Sequence, residues 1–265
     1  MPYDTGDGVM SLVGATVNTN ALGAFLSTFG YNITDLRCEI KDMKLQAAVD
    51  VETHYFHKSI PVMMGESVMY KAGEIPIPHL DKVVKFVKSC KEDNTIIRYV
   101  SGMFTLSNGN DEFSVPTYEG ILSAQSLSRA KMAISTAQKN GWTKLGRAIL
   151  ESHGTLEIES IKDLSTMSKV AAKDSAIKVE VNINDEMIIT AGNSRGARMC
   201  RTIDVDSHAK SVPVETVFGQ HMPDLAKLMP SGSVQFHMGN RSALVLVHTE
   251  VDAVMILKHQ EGADN

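Results

Sequence analysis

Residues 79–91 read His79-Leu-Asp-Lys-Val-Val-Lys-Phe-Val-Lys-Ser-Cys-Lys91, a stretch with the period of an amphipathic helix. At about 100° per residue, one face of this helix carries the apolar side chains of Leu80, Val83, Phe86, Val87 and Cys90. The opposite face carries the three lysines Lys82, Lys85 and Lys88. Asp81 lies in the first turn, where the helix dipole favours an acid. The stretch predicts a surface helix with a positive outer face.

Working outward from this helix, the chain repeats one order of elements. In the first half we predict helices at 18–30 and 79–91, with strands at 8–17, 33–40, 43–51, 53–60, 66–71, 94–100, 102–107 and 111–116. In the second half we predict helices at 160–173 and 220–229, with strands at 154–159, 176–183, 186–191, 196–204, 211–218, 233–238, 242–248 and 251–258. The repeated order predicts an α+β fold with antiparallel sheets, formed by internal duplication.

A segment of different composition separates the two halves. Residues 117–150 contain one acid, Glu119, and the five basic residues Arg129, Lys131, Lys139, Lys144 and Arg147. Apolar residues at helical spacing, from Leu127 to Ala137, indicate one amphipathic helix within it. We therefore predict an N-terminal domain at 1–120, a basic interdomain connector at 121–150 and a C-terminal domain at 151–265.

The helix at 160–173 repeats the lysine face, with Lys162, Lys169 and Lys173 opposite Ile161 and Leu164. A lysine face can simply be a solvated surface, but such a face usually intersperses acids with the lysines. Unpaired lysines are what contact with a phosphate backbone requires. The helix at 18–30 has no basic residue and the helix at 220–229 has only Lys227, so both interpretations stay open on this pattern.

The composition excludes several classes of protein. The 265 residues include 26 Lys+Arg and 31 Asp+Glu, a formal net charge of −5, so the surface is not basic overall. Three cysteines without a CxxC pair suggest neither a disulfide scaffold nor a structural zinc site. We expect an intracellular, cytoplasmic protein, because no signal peptide and no membrane-spanning apolar run is evident.

The sequence offers no positive evidence for an enzyme. His54 and His57 would point to opposite faces of a strand. Asp204 and Asp206 would share a face, but no further metal ligand lies nearby in the sequence. Residues 192–196 lack the spacing of a phosphate-binding loop and fit a hairpin turn instead. We therefore expect no catalytic residue, no metal site and no cofactor.

Several stretches resemble the DNA polymerase sliding clamps, above all the proliferating-cell-nuclear-antigen type and its two-domain viral relatives. Asp42-Met-Lys-Leu-Gln-Ala-Ala-Val-Asp50 resembles a strand and turn of that family, and 77–98 is similar to its second helix and following strand. In the second half, 185–197 and 222–240 resemble its paired strands and its final helix and strand. The likeness covers about 8–116 and 154–260, as a pattern of elements more than as shared identities.

The resemblance implies duplicated DNA-clamp domains, with antiparallel sheets outside and helices lining a ring of three protomers around duplex DNA. It implies sequence-independent phosphate contacts by Lys82, Lys85, Lys88, Lys162, Lys169, Lys173 and Lys227. Strands near 111–116 and 196–203 would pair between protomers. DNA polymerase and clamp loader would be the protein partners, docking near Tyr118, Ile121, Leu122, Leu257, Lys258, His259 and Gln260.

The sequence departs from the family pattern in its long basic connector, its C-terminal stretch and its uncharged first helix, which a divergent viral clamp would accommodate. Two other classes stay open. A viral coat or scaffold protein of two similar β-rich domains would assemble without DNA. A β-rich enzyme would be indicated by a tightly bound metal or small ligand.

Overall fold

The fold is described from a computed structural model. It describes residues 12–30, 33–64, 69–117, 143–145, 148–162, 164, 176–192, 198–207 and 213–260. The chain divides into two compact units. One unit comprises Met1–Ala47 and Ser59–Ser123, and the other comprises Ala48–Lys58 and Ala124–Asn265. The second unit thus includes a short hairpin from the first half of the sequence.

The first half of the chain contains two helices, α1 (Thr19–Phe29) and α2 (Leu80–Ser89). Its strands are β1 (Val13–Asn18), β2 (Leu36–Lys41), β3 (Lys44–Asp50), β4 (His54–Pro61), β5 (Tyr70–Lys71), β6 (Gly73–Ile77), β7 (Asn94–Val100), β8 (Met103–Asn108) and β9 (Asp111–Pro116). The helix predicted at 18–30 is confirmed, and its four apolar residues are buried: Leu22, Phe25, Leu26 and Phe29. Asn18 caps this helix, because its side chain accepts a hydrogen bond from the Ala21 amide at 3.0 Å.

In the second half the described helices are α3 (Ile158–Lys162) and α4 (Met222–Ala226). Its strands are β10 (Thr143–Leu145), β11 (Ala148–Leu150), β12 (Ser152–Glu157), β13 (Ile177–Val181), β14 (Glu186–Gly192), β15 (Arg198–Asp204), β16 (Asp206–Ser207), β17 (Val214–Phe218), β18 (Ser233–Met238), β19 (Leu244–His248) and β20 (Ala253–Leu257). Pro223 lies in the first turn of α4, where a missing amide hydrogen costs nothing.

The two halves order their strands in the same way. The neighbours β5-β1-β7-β8-β9 of the first half correspond to β16-β12-β18-β19-β20 of the second half. Likewise, β4-β3-β2-β6 correspond to β15-β14-β13-β17. The strand pairs with described register are all antiparallel, for example β1 with β7 and β12 with β18. The predicted α+β fold with duplicated antiparallel sheets is therefore confirmed.

Four described strands were not predicted from the sequence: β6, β10, β11 and β16. We did not predict β6, because Pro76 and Pro78 read as a break in the chain. The structure tolerates Pro76 because β6 is the last strand of its sheet and needs ladder bonds on one side only. The end of the connector, expected as part of a partly helical segment, instead forms the hairpin β10–β11. The helix expected within 127–137 lies outside the described residues.

The connector hairpin packs onto the sheet of the second unit. Leu150 is buried in an apolar cluster with Tyr55, Val245 and Ile256, and Leu145 lies partly buried against the same cluster. Burial of these side chains holds the hairpin on the sheet. Each Å² of apolar surface removed from water contributes roughly 25 cal/mol of stabilising free energy.

Candidate nucleic-acid interface

Helix α2 presents its three lysines to solvent. Leu80, Val83 and Val87 are buried, as the helical period predicts, whereas Lys82, Lys85 and Lys88 are exposed. The Lys85 ammonium lies 3.7 Å from the Asp81 carboxylate one turn earlier, and both side chains are largely exposed, so the pair is weak. Within the part of the chain that the structure describes, no carboxylate lies within 4.0 Å of the Lys82 or Lys88 ammonium. The face therefore carries three lysines against one acid.

Helix α1 packs beside α2 and adds no charge. A Cβ atom at Gly23 would lie 3.5 Å from Val87 Cγ1, so the two helices approach closely at this point. The exposed residues of α1 include Asn20, Ala24 and Ser27, which are short and uncharged. Because α1 contains no basic residue, the positive charge of the helix pair comes from α2.

A buried asparagine holds the chain that leaves α2. Asn108 is 2% exposed, and its Oδ1 accepts hydrogen bonds from the amides of Lys91 and Glu92, at 3.2 and 3.0 Å. Its Nδ2 donates to the carbonyls of Glu92 and Asn94, both at 2.9 Å. The same loop binds the start of α1, because the Thr19 hydroxyl donates to the Glu92 carbonyl at 2.7 Å. One network therefore fixes the end of α2 and the start of α1.

In the second half a histidine occupies the position that corresponds to Asn108. β8 ends at Asn108, and its counterpart β19 ends at His248. The His248 Nδ1 atom accepts from the amides of Glu250 and Val251, at 3.1 and 3.2 Å. Its Nε2 atom must then carry the proton, and it donates to the Ser231 carbonyl at 2.9 Å. The sequence analysis missed both residues, because Asn108-Gly109 reads simply as a turn and a lone histidine gives no signal.

The lysines predicted in the second half are in different surroundings from those of α2. Lys162 is half-buried, with its ammonium 3.8 Å from the Glu159 carboxylate. A hydrogen bond from the Ser231 hydroxyl is the main cause that lowers the pKa of Glu159, so this carboxylate stays ionised beside Lys162. Lys227 is exposed and binds Asp224 at 2.9 Å. Lys169 and Lys173 lie outside the described residues.

The predicted partner-binding residues at the C-terminal end lie together in the second unit. Leu257 is 1% exposed and belongs to the core, whereas Lys258 binds the Asp50 carboxylate at 2.5 Å and also the Val51 carbonyl. The His259 Nδ1 atom and the Gln260 amide both lie within hydrogen-bond distance of the Val217 carbonyl, at 3.1 and 3.0 Å. Lys258, His259 and Gln260 thus supply the polar surface here. Tyr118, Ile121 and Leu122 lie outside the described residues.

Strands β9 and β15 each lie at the edge of a sheet, and their charged side chains have opposite signs. β9 has β8 as its only neighbour among the described strands and carries Asp111 and Glu112. β15 has β14 as its only described neighbour and exposes Arg198 and Arg201. Their counterparts in the duplication, β20 and β4, pair with each other: Ala253 lies opposite Lys58 and Leu257 opposite His54. The second unit therefore contains an example of edge-to-edge pairing, for which β9 and β15 have no partner among the described strands.

Among the residues that the structure describes, no group of three or more His, Cys, Asp or Glu side chains is placed to hold a metal ion. None of the helices in the described ranges is both long and apolar enough to cross a membrane.

The chain is similar to solved sliding clamps over 94% of its length. For the DNA polymerase sliding clamp from Bacillus subtilis the TM-score is 0.71 at 9% identity, and for the DNA polymerase III subunit beta from Pseudomonas aeruginosa it is 0.70 at 10% identity. This chain spans 64% and 66% of those two chains. For PCNA from Thermococcus kodakaraensis the TM-score is 0.69 at 10% identity, and all of that chain is covered.

Sequence comparison alone does not detect this similarity, because no protein-family model and no curated protein matches the chain. The similarity is nevertheless consistent across bacterial clamps and PCNA, with TM-scores of 0.69 to 0.71. This chain has the duplicated sliding-clamp fold of the DNA polymerase clamps.

Proposed function

We propose that the chain is a DNA sliding clamp, a processivity factor that encircles duplex DNA and tethers replication proteins. The observation that carries this proposal is the exposed face of Lys82, Lys85 and Lys88 on a helix of a sliding-clamp fold. The protein has a net charge of −5, so a face with three lysines and one acid is not a consequence of its composition. We assign 1–120 and 151–265 as the clamp domains and 121–150 as the connector.

The proposed contact is electrostatic and independent of DNA sequence. Lysine ammonium groups act as point charges that neutralise phosphates and release counterions, whereas reading of bases requires side chains placed in a groove. Exposed lysines on long, flexible stems tolerate movement along the duplex because each can exchange one phosphate for the next. Lys162, Lys169, Lys173 and Lys227 are proposed as further phosphate contacts in the second half. Lys162 and Lys227 would first have to leave their carboxylate partners.

The ring is proposed to close through β9 of one protomer and β15 of the next. The pairing of β20 with β4 supports this, because the duplication makes those strands the counterparts of β9 and β15. Charge supports it too, since Asp111 and Glu112 would meet Arg198 and Arg201. A heterologous contact of this kind produces a closed ring when the rotation closes. We propose a homotrimer, with a DNA polymerase and a clamp loader as protein partners.

Topological retention on DNA tests the proposal without knowledge of the loader. Labelled protein is threaded onto linear duplex DNA through a free end, the end is blocked with streptavidin, and the complex is washed in high salt. A ring should stay on blocked DNA and leave when a restriction enzyme cuts the DNA. The triple variant Lys82→Glu, Lys85→Glu, Lys88→Glu should load less protein onto the DNA at low salt, where phosphate contacts are not screened, while keeping its circular dichroism spectrum.

The matched control is Lys41→Glu, Lys44→Glu, Lys71→Glu, which makes the same charge change on exposed lysines outside the helices. This control should load like the unchanged protein. Undiminished loading of the α2 variant would refute the phosphate contacts, and equal loss from open and blocked DNA by the unchanged protein would refute the clamp. Assembly into large particles without DNA would instead support a coat or scaffold protein.

A further inference from the structure

A second surface of the first unit combines apolar and basic residues. We propose that it binds an acidic segment of a protein partner, which places an apolar side chain against the exposed Met64 and the half-buried methionines beside it. We call it the Met–Lys surface, and it consists of Met43, Met63, Met64, Met69, Tyr70, Lys41, Lys44 and Lys71. The proposal concerns neither the DNA-facing helices nor the edges β9 and β15, so it stands independently of the proposed function.

Hydrogen bonds bring the three segments of this surface together. The Met43 carbonyl accepts from the Val62 amide at 3.0 Å, which joins the β2–β3 turn to the chain that follows β4. The Met43 amide donates to the Tyr70 hydroxyl at 3.4 Å, which joins the same turn to β5. β1 fixes the remaining positions, because the Met63 amide donates to the Thr16 carbonyl and the Thr16 amide to the Met69 carbonyl. These hydrogen bonds therefore hold together the three chain segments that carry the methionines.

The apolar part of this surface is unusually open to solvent. Met64 is 78% exposed and Tyr70 is 38% exposed, while Met43, Met63 and Met69 are half-buried. The Met69 side chain lies over Gly14, where a Cβ atom would come within 2.6 Å of its terminal methyl group. Methionine is flexible and polarizable, and it is over-used on surfaces that adapt to apolar side chains of a partner. The surface thus offers an adaptable apolar contact supported by a rigid backbone.

The charge around the methionines identifies the partner chemistry. Lys41, Lys44 and Lys71 are exposed, and the one acid in 41–44, 62–64 and 69–71 is Asp42. Lys41 and Lys44 lie opposite each other where β2 meets β3, and Lys71 follows Tyr70 directly. Cations around an exposed apolar centre complement a segment that has carboxylates beside a leucine or an aromatic residue. Duplex DNA is the poorer fit, because phosphate contact makes no use of exposed methionine and tyrosine.

Selection from a displayed random-peptide library tests this proposal, with the purified full chain as bait. The Met64→Glu variant serves for counter-selection, and Met64 is exposed enough for the fold to survive that change. We expect enriched peptides that carry Asp or Glu beside Leu, Phe or Trp. Their affinity, measured by fluorescence anisotropy with synthetic copies, should fall by about tenfold or more in Met64→Glu and in the Lys41→Glu, Lys71→Glu variant.

The variant Lys82→Glu, Lys88→Glu is the control, and it should bind these peptides as the unchanged protein does. Absence of any peptide that depends on Met64 would overturn the proposal. Loss of peptide binding in the α2 variant would overturn it as well, since the peptide would then mimic DNA at the helices. Weaker loading of Lys41→Glu, Lys71→Glu onto DNA at low salt would make this surface a DNA contact instead. Retention on blocked DNA reports on the clamp separately, so the two proposals fail independently.

Discussion

Replacement of Asn108 by alanine should lower the free energy of unfolding by more than replacement of an exposed residue in the same turn does. The side chain makes four hydrogen bonds to the loop between α2 and β7, two as acceptor and two as donor. At about 1 kcal/mol net for each bond, their loss amounts to about 4 kcal/mol. Lys91, Glu92 and Asn94 are exposed, so water can recover part of this loss. We expect a decrease of about 2–4 kcal/mol in the free energy of unfolding.

Urea unfolding followed by far-ultraviolet circular dichroism measures this decrease. The control is Asn110→Ala, because Asn110 lies in the same turn with an exposed side chain. Hydrogen exchange read by mass spectrometry should also show faster exchange in 91–94 and at the start of α1, since Thr19 binds the same loop. A loss below about 1 kcal/mol, or an equal loss in the control, would show that the network contributes no more than an ordinary turn.

Three further changes have definite expected outcomes. Burial, helped by His153, lowers the pKa of His237 to about 4, so the unfolded chain takes up the proton first as pH falls. Stability should fall between about pH 6.5 and pH 4, and His237→Gln should reduce the shift in urea midpoint between about pH 7 and pH 5. Gly14→Ala should cost about 1–3 kcal/mol in the same urea assay, because its Cβ would lie 2.5 Å from the Ile97 carbonyl, whereas Gly30→Ala should be nearly neutral. Lys82→Gln with Lys88→Gln should lower the salt slope of binding to linear duplex by about two per protomer, and an unchanged slope would place the phosphates elsewhere.

The helices could be predicted because their signals are local. Leu22, Phe25, Leu26 and Phe29 recur at helical spacing and are buried, and Lys82, Lys85 and Lys88 face solvent as the period requires. The repeated order of strands and helices gave the duplication for the same reason. Most strands alternate or contrast with their flanking turns, so their existence can be read without knowing their neighbours in the sheet.

The charge environment of each lysine could not be predicted in this way. Lys162 and Lys82 occupy similar places in two amphipathic patterns, yet Lys162 is half-buried beside Glu159 and Lys82 is exposed. The difference depends on which carboxylates approach through space and on how well the helix is covered. Neither the approach of a carboxylate nor the burial of a helix face follows a periodic pattern along the sequence. The prediction at Pro76 was wrong for a related reason. A proline is compatible with a strand only when that strand lies at the edge of its sheet, and the sequence does not show which strands are edges.

By itself the sequence determined the α+β class, the duplication and the positive face of α2, because spacing along the chain fixes which side chains share a face. Tertiary structure decided the rest. It gave Asn108 and His248 their roles as loop anchors, it gathered the methionines and lysines of the Met–Lys surface from three segments, and it left β9 and β15 as edges of opposite charge. These features depend on contacts between residues far apart in sequence, and such contacts are set by packing and by the pairing of strands, which no local pattern specifies.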